Sequence, residues 1–220
     1  MKLNVIVTGA TGMVGEGVLH ICLDHPDVES ILVLGRRSCG VSHPKLKELV
    51  VNDLYDLSSV KEQLKGYNAC FFCLGTTSVG KSEEEYRKIT YDLTMNTART
   101  LAPINPAMTL CYVSGLGTDG TEKGKIMWAR VKGKTENDLA ALPFKAVFNF
   151  RPGGIRPIKG MKNTLMLVKM LNPLFPLLQI LFPKSVVSLE DIGRSMINVS
   201  LNGYSKTVLE CEDITASARQ

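Results

Sequence analysis

The chain has 220 residues, of which 45% are hydrophobic and 21% are charged, so it can bury one substantial core. This composition excludes a disordered, collagen-like or coiled-coil protein. The 26 lysines and arginines exceed the 21 acidic residues by too little to indicate nucleic-acid binding without a local basic patch. The six cysteines do not cluster, which indicates a reducing compartment rather than a disulfide-stabilised scaffold.

Short apolar runs alternate with longer segments of helical periodicity, a pattern typical of βαβ units and a parallel sheet. The predicted strands cover residues 3–7, 30–34, 49–51, 69–74, 109–113 and 146–150, and the predicted helices cover residues 13–23, 82–101, 125–140 and 188–201. Prolines set three helix ends: Pro26 follows the first helix, Pro103 the second and Pro143 the third. Ser188, followed three residues later by Asp191, predicts a cap at the start of the last helix.

The segment from Leu165 to Phe182 is strongly apolar but is interrupted by a lysine, an asparagine, a glutamine and two prolines. Because a membrane-spanning helix needs about 20 apolar residues, this segment is a poor candidate for one. We predict helices that cover one end of the sheet and wall an apolar substrate pocket. A dimer interface or a peripheral membrane contact are the alternatives, and the chain is expected to be a monomer or a homodimer.

The first residues of the sequence bear on its location. Lys2 is followed directly by the first predicted strand and not by a long apolar segment, so we expect no cleavable targeting segment. A cytoplasmic location is therefore predicted.

A glycine-rich turn, TGATGMVG, follows the first predicted strand and has the spacing G-x-x-G-x-x-G. Gly9 permits a sharp turn, Gly12 lets the backbone approach a pyrophosphate, and Gly15 lets the following helix pack closely on the sheet. The first N–H groups of that helix and its dipole favour the phosphates of a dinucleotide. The predicted phosphate-binding residues are Gly9, Thr11, Gly12, Met13, Val14 and Gly15.

The residues after the second strand indicate which dinucleotide is preferred. An NAD-binding site normally has an acidic residue here to bond the ribose 2′-hydroxyl, but this chain has Gly35, Arg36 and Arg37. A guanidinium offers a planar set of donors to a 2′-phosphate. We therefore predict NADP(H) in preference to NAD(H), with a solvated basic loop as the alternative.

Further cofactor contacts are predicted after the third and fourth strands. Asp53 is placed where a side chain meets the adenine edge, and the sequence LGTT supplies small and hydroxyl residues at the carboxyl end of a strand, where ligands of open α/β sheets bind. Each of these residues also fits simple turn chemistry. The predicted set is Asp53, Leu54, Leu74, Gly75, Thr76 and Thr77.

The ordered motifs TGATGMVG, GRR, FCLGTT, YVSGLGT, VKGKTE and FRPGGI resemble those of the short-chain dehydrogenase/reductase superfamily, in particular its atypical and extended members of the epimerase/dehydratase kind. The chain is most similar to the small Tat-interacting-protein-like oxidoreductase branch. The resemblance covers residues 1–160 well and the remainder loosely. Pattern and resemblance together predict one Rossmann-type doubly wound α/β domain over residues 1–220, in which residues 151–190 form a short helical lid on the substrate side.

The resemblance implies roles for two residues and exposes one departure. Ser114 would orient a substrate carbonyl, and Lys132 would bond the nicotinamide ribose and lower the pKa of a tyrosine four residues earlier, the general acid. That position holds Trp128, whose indole N–H does not titrate as a general acid. None of the six tyrosines has a lysine four residues further on, so no realignment restores the motif.

The missing tyrosine leaves three alternatives. Another group, such as Tyr91, Ser114 or a water held by Lys132, supplies the proton; or a quinone-like or flavin-like acceptor takes hydride and collects its proton from solvent; or the protein binds NADP(H) without turning it over, as a sensor or scaffold. We predict an NADP(H)-dependent oxidoreductase acting on a small apolar molecule, with Ser114, Lys132 and Trp128 at the catalytic position. The three histidines are not spaced as metal ligands, so no metal is predicted.

Overall fold

The structure is a computed structural model, and it describes residues 2–158, 160–163, 181–182 and 184–220. Its strands are β1 (Leu3–Thr8), β2 (Val28–Gly35), β3 (Leu46–Val50), β4 (Ala69–Phe72), β5 (Thr109–Val113), β6 (Ala146–Arg151), β7 (Gly154–Arg156), β8 (Val186–Ser188) and β9 (Val208–Glu210). Seven of these described strands form one parallel sheet in the order β3-β2-β1-β4-β5-β6-β9, and β7 pairs in parallel with β8. The predicted parallel α/β architecture is confirmed.

The helices of the described chain are α1 (Met13–Asp24), α2 (Glu83–Arg87), α3 (Leu93–Ile104), α4 (Met127–Ala140), α5 (Leu189–Asn202) and α6 (Cys211–Ser217). A 3₁₀ helix covers Ser58–Leu64, and a π-helical turn at Lys88–Asp92 joins α2 to α3. Successive strand residues point to opposite faces of the sheet, and helices pack against both faces. Val5 of β1 lies in a cluster with residues of α1, α5 and α6, whereas Ile6 lies in a cluster with residues of α3 and α4.

All six predicted strands are present, and the prediction missed the three-residue strands β7, β8 and β9. The single helix predicted for residues 82–101 is wrong in two respects. It is divided into α2, the π-helical turn and α3, and it continues through Pro103 to Ile104. A proline in the last turn removes only one main-chain hydrogen bond, and the N–H of Asn105 still closes the helix on the Leu101 carbonyl at 3.0 Å.

The region predicted as a helical lid, residues 151–190, is only partly described. Its described part contains β7 and β8, and the Gly154 N–H donates to the Ser185 carbonyl at 2.7 Å where they meet. The apolar segment 165–182 lies outside the described residues except for Leu181 and Phe182, which are both exposed. Within the ranges that the structure describes, no helix has the length and apolar character to cross a membrane.

Candidate functional site

The glycine-rich turn between β1 and α1 is built on close backbone contacts. Gly9 has a φ of +70°, and a Cβ there would lie 2.7 Å from the Leu74 nitrogen and 2.8 Å from the Cys73 carbonyl carbon. A Cβ on Gly15 would lie only 2.1 Å from the Gly9 oxygen. Both positions therefore require glycine, and α1 starts directly against the end of β1.

The start of α1 faces this turn without a side-chain cap. The N–H of Gly12 donates to the Gly9 carbonyl at 2.9 Å, and the Glu16 N–H donates to the Gly12 carbonyl at 2.8 Å. Gly12 is the N-cap and has no side-chain oxygen to accept the first N–H groups of the helix. Those N–H groups and the positive end of the helix dipole suit an anion.

A cavity of about 260 Å³ opens beside the turn, at the carboxyl ends of β1, β2 and β4. Of the predicted cofactor residues, the cavity is lined by Gly9, Thr11, Gly12, Arg36, Arg37, Leu54, Leu74, Gly75 and Thr76. Its wall also contains residues that the sequence prediction missed, namely Ala10, Val33, Leu34, Gly35, Cys73 and Ile89. Ile89 belongs to the π-helical turn, whose approach to the cavity no local sequence pattern indicates.

The other predicted cofactor residues do not line this cavity, and those are Met13, Val14, Gly15, Asp53, Thr77 and Lys132. Gly15 acts through packing, as described above. The Asp53 carboxylate accepts a hydrogen bond from the Tyr55 N–H at 2.7 Å, and Thr77 Oγ1 accepts one from the Val79 N–H at 3.2 Å. Both side chains thus serve local turns, which was the alternative reading of each.

Glu16, in the first turn of α1, is a buried carboxylate that sequence reasoning missed. It is 5% exposed, and its two oxygens accept the N–H groups of Lys162 and Asn163, each at 2.8 Å. The carboxylate thereby fixes the chain that follows β7 to the helix bearing the glycine turn. An acidic residue in the first helical turn is usually explained by the helix dipole alone, so the sequence held no sign of this longer-range contact.

Ser114 lies directly after β5, and the structure fixes the direction of its hydroxyl proton. Ser114 Oγ is 2.9 Å from Thr118 Oγ1, and Thr118 donates its own proton to the Gly115 carbonyl at 2.7 Å. Because a hydroxyl has one proton, Ser114 must donate to Thr118. The Ser114 oxygen therefore keeps lone pairs for accepting a hydrogen bond, but its proton is already engaged.

Lys132 and Trp128 lie one turn apart on α4 and meet the loop after β5. Lys132 Nζ donates to the carbonyls of Val113 and Ser114, at 3.2 and 3.1 Å, and burial lowers the pKa of this amine to about 8, against the opposing charge of Glu136. The Trp128 ring packs beside the loop, 3.8 Å from where a Cβ of Gly115 would lie. The structure thus brings all three predicted catalytic residues to one loop, outside the wall of the 260 Å³ cavity.

A buried ion pair supports this region from behind. Arg151, at the end of β6, donates to both carboxylate oxygens of Glu136 at 3.0 and 2.6 Å, and to Glu210 at 3.3 Å. The side chain of Glu136 is 3% exposed and that of Arg151 is 16% exposed. Glu136 is one turn beyond Lys132 on α4. The side chains of Glu136, Arg151 and Glu210 therefore join α4, β6 and β9 beside the lysine.

Tyr91, a candidate proton source, is engaged elsewhere. Its hydroxyl donates to Asp138, and the cations of Arg87 and Lys134 lie 5.1 and 5.3 Å from the centre of its ring. Burial and the Asp138 hydrogen bond raise the pKa of Tyr91. Tyr91 lines a separate cavity of about 370 Å³ against α4, so it does not face the nucleotide turn.

In the part of the chain that is described, no three His, Cys, Asp or Glu residues are grouped as metal ligands.

Comparisons with known proteins agree with this architecture. A family model described as the NAD-binding domain of semialdehyde dehydrogenase matches residues 4–98. Protein FMP52, mitochondrial, from Candida albicans is 28% identical over 157 residues, which cover 70% of this chain and 67% of that protein. Protein fmp52-1, mitochondrial, from Aspergillus terreus is 30% identical over 156 residues, which cover 68% of this chain and 66% of that protein.

Two solved structures illustrate the similarity of the fold. Glucuronic acid dehydrogenase from Chromohalobacter salexigens superposes with a TM-score of 0.67 at 17% identity, over 95% of this chain and 76% of that one. The Bordetella bronchiseptica enzyme WbmF in complex with NAD⁺ superposes with a TM-score of 0.65 at 14% identity, over 99% of this chain and 78% of that one. The chain therefore has the Rossmann fold of NAD(P)-binding proteins.

These comparisons overturn one prediction. The sequence predicted a cytoplasmic location, whereas the relatives from Candida albicans, Debaryomyces hansenii and Aspergillus terreus are all named as mitochondrial proteins. The prediction rested on the lack of a recognisable targeting segment ahead of β1, and that local feature was an insufficient basis for it.

Proposed function

We propose that this protein binds NADP(H) in preference to NAD(H) and transfers hydride to a small apolar carbonyl, quinone or flavin-like acceptor, as an atypical short-chain dehydrogenase/reductase of the Tat-interacting-protein-like branch. The observation that carries the proposal is the cavity at the glycine turn, with Arg36 and Arg37 in its wall and no acidic side chain among the described residues that line it. No nucleic-acid partner is proposed, since the basic residues at this cavity have a local use.

The residues present fit the dinucleotide. The uncapped first turn of α1 would hold the pyrophosphate, and the close contacts at Gly9 and Gly15 require glycine at these two positions of the turn. Arg36 and Arg37 are exposed at the end of β2, where their guanidinium groups would bind a ribose 2′-phosphate. Leu54 is buried in the same wall and offers an apolar surface to adenine.

The catalytic end of the proposed site lies at the loop after β5. When bound, NADPH supplies the hydride. The Ser114 oxygen accepts a hydrogen bond from a polar group of the substrate or orients that group. Trp128 packs against one side of the loop, and Lys132 places a positive charge at the carboxyl end of β5. In this proposal, these three residues would lie where an acceptor meets the nicotinamide.

Removing both arginines is expected to affect only the phosphorylated cofactor. The double variant Arg36→Ala with Arg37→Ala should weaken NADPH binding about 10- to 100-fold, because charge-assisted hydrogen bonds contribute about 1.5–3 kcal/mol. NADH binding should change less than threefold. Calorimetric titration of both cofactors measures this, with Arg219→Ala, an exposed arginine near the C-terminus, as the control. Equal affinities of the unaltered protein for NADPH and NADH would contradict the proposed preference.

Trp128 favours a second candidate function, an NADP(H)-binding sensor or scaffold without turnover. The two functions differ in one measurement, the oxidation of NADPH monitored at 340 nm with aromatic aldehydes and quinones as acceptors. The reductase proposal predicts oxidation with at least one class. Trp128→Tyr should then raise aldehyde reduction at least tenfold if the loop once held a tyrosine-dependent site, because Lys132 already stands one turn away.

A further inference from the structure

Carbonyl reduction needs a proton for the oxygen that receives the electron pair, and most groups near β5 cannot supply it. Trp128 does not titrate. The Ser114 proton is donated to Thr118, and Tyr91 lies in another cavity. Tyr112 is 1% exposed, and burial raises the pKa of its phenol. With these groups set aside, we consider the ammonium group of Lys132, which is held at the Val113 and Ser114 carbonyls, as the titratable donor.

The hydrogen bonds of Lys132 leave one proton available. An ammonium group has three N–H donors, and two of them are directed at the Val113 and Ser114 carbonyls. Nothing in the described ranges occupies the third, and no carboxylate there lies within salt-bridge distance of Nζ. The lysine is thus held in place by two main-chain oxygens and is not committed to an acid.

The charged and buried groups around Lys132 explain why its pKa is low. Of the two acidic residues on its own helix, Glu136 acts on Lys132, whereas Asp138 pairs with Lys134. The ring of Tyr112, on β5, lies under the Lys132 amine with its centroid 5.4 Å from Nζ, and Arg151 approaches from β6. Arg151 engages both oxygens of Glu136 and thereby offsets the carboxylate that would otherwise hold Lys132 fully protonated. Burial then dominates and lowers the pKa of Lys132 to about 8, close to working pH.

We propose that Lys132 is itself the proton donor of carbonyl reduction in this protein, with Glu136 and Arg151 as positioning residues that set its charge. The inference rests on the proposed reductase function. Hydride adds to the carbonyl carbon, the C=O π electron pair moves to oxygen, and an N–H bond of the Lys132 ammonium breaks as the O–H bond of the alcohol forms. The neutral amine then recovers a proton from solvent, which the partial exposure of Lys132 permits.

Two substitutions separate proton donation from simple positive charge. Lysine has a positive charge, N–H donors and a proton that it can release. Arginine keeps the charge and the donors but does not release a proton at any working pH, and methionine has none of the three. With 4-nitrobenzaldehyde as the acceptor, both Lys132→Arg and Lys132→Met should lower kcat about 10²- to 10⁴-fold. With 9,10-phenanthrenequinone, which delocalises the charge after hydride addition, Lys132→Arg should lose less than tenfold. Full aldehyde activity in Lys132→Arg would overturn the proposal.

A second measurement follows Lys132 without turnover. The protein is treated with acetic anhydride over pH 6–11, and mass spectrometry reports the acetylation of each lysine. Lys132 should react with a midpoint near pH 8, with the acetylation of exposed Lys47 as the reference for the activity of the reagent. Glu136→Gln removes the one negative charge beside Lys132 and should move the midpoint to lower pH, and Glu136→Asp should restore it. A Lys132 midpoint above pH 10, or one unaffected by Glu136→Gln, would overturn the inference.

The two proposals fail in different ways. NADPH binding without oxidation by either acceptor defeats the reductase function and the donor role with it. Oxidation of NADPH by 4-nitrobenzaldehyde that persists undiminished in Lys132→Arg defeats the donor role alone. The pH profile of aldehyde reduction gives a further check: a donor must be protonated, so kcat should fall about tenfold per pH unit above pH 8, and Glu136→Gln should move this fall to lower pH.

Discussion

Replacing Arg151 with methionine is expected to destabilise the fold by about 3–5 kcal/mol, because it leaves the carboxylate of Glu136 buried without its partner. Glu136 is 3% exposed, and both of its oxygens accept from Arg151, at 3.0 and 2.6 Å. Urea unfolding followed by circular dichroism measures the loss as a lower midpoint with an unchanged slope. Thermal unfolding should show the same order of variants.

An exposed ion pair provides the matched control. Lys206 contacts Asp213 at 2.6 Å, but its side chain is 61% exposed, so Lys206→Met should cost less than about 1 kcal/mol. The double variant Arg151→Met with Glu136→Leu should recover most of the loss, since it removes the buried carboxylate together with its partner, and the side chain of Glu210, the other partner of Arg151, is 41% exposed. If Arg151→Met and Lys206→Met cost the same, the buried pair does not stabilise the junction of α4, β6 and β9.

The first half of the fold could be predicted from the sequence because its signals are local. The apolar run of β1, the glycine turn and the helix that follows are consecutive, and each requirement is met within a few residues. The close approach of Gly15 to Gly9 gives this motif its spacing, so the pattern specifies the geometry directly. The ends of parallel strands then gather at one edge, which explains why Arg36 and Gly75 could be assigned to one cavity.

The features that prediction missed depend on contacts between distant residues. Strands β7, β8 and β9 have three residues each, too few to show an alternating pattern, and they form only because partners from elsewhere in the chain align with them. The Glu136–Arg151 pair joins a helix to a strand through burial that neither segment indicates alone. Pro103 inside α3 shows that a helix-ending signal is tolerated in a last turn.

The position of the proposed catalytic loop was predictable, but its hydrogen bonding was not. The resemblance to short-chain dehydrogenases/reductases implied that Ser114, Trp128 and Lys132 belong together, and the structure brings them to one loop after β5. The direction of the Ser114 hydroxyl proton depends on Thr118, and the protonation of Lys132 depends on the ion pair between Arg151 and Glu136. Such hydrogen-bond networks require three-dimensional neighbours, which a motif does not contain.

Placing a methyl group at Gly15 is expected to remove NADPH binding, with a loss of affinity of at least 100-fold. The Cβ of Gly15→Ala would lie 2.1 Å from the Gly9 oxygen and 2.8 Å from the Ala10 nitrogen. These are backbone atoms of the turn, so α1 must move away from the site where its N–H groups would meet the pyrophosphate. Calorimetric titration with NADPH measures the affinity, and urea unfolding measures the accompanying loss of stability.

Two neighbouring glycines separate lost binding from lost stability. A Cβ on Gly17 would press on the flexible side chain of Leu189, at 2.2 Å, so Gly17→Ala should reduce stability while leaving the cavity and its affinity for NADPH intact. A Cβ on Gly12 meets only the Gly9 oxygen, at 3.4 Å, so Gly12→Ala should remain as stable as the unaltered protein but obstruct the phosphates and weaken NADPH at least tenfold. Unchanged NADPH affinity in Gly12→Ala would show that the pyrophosphate does not lie at this turn, whatever the stability of the other variants.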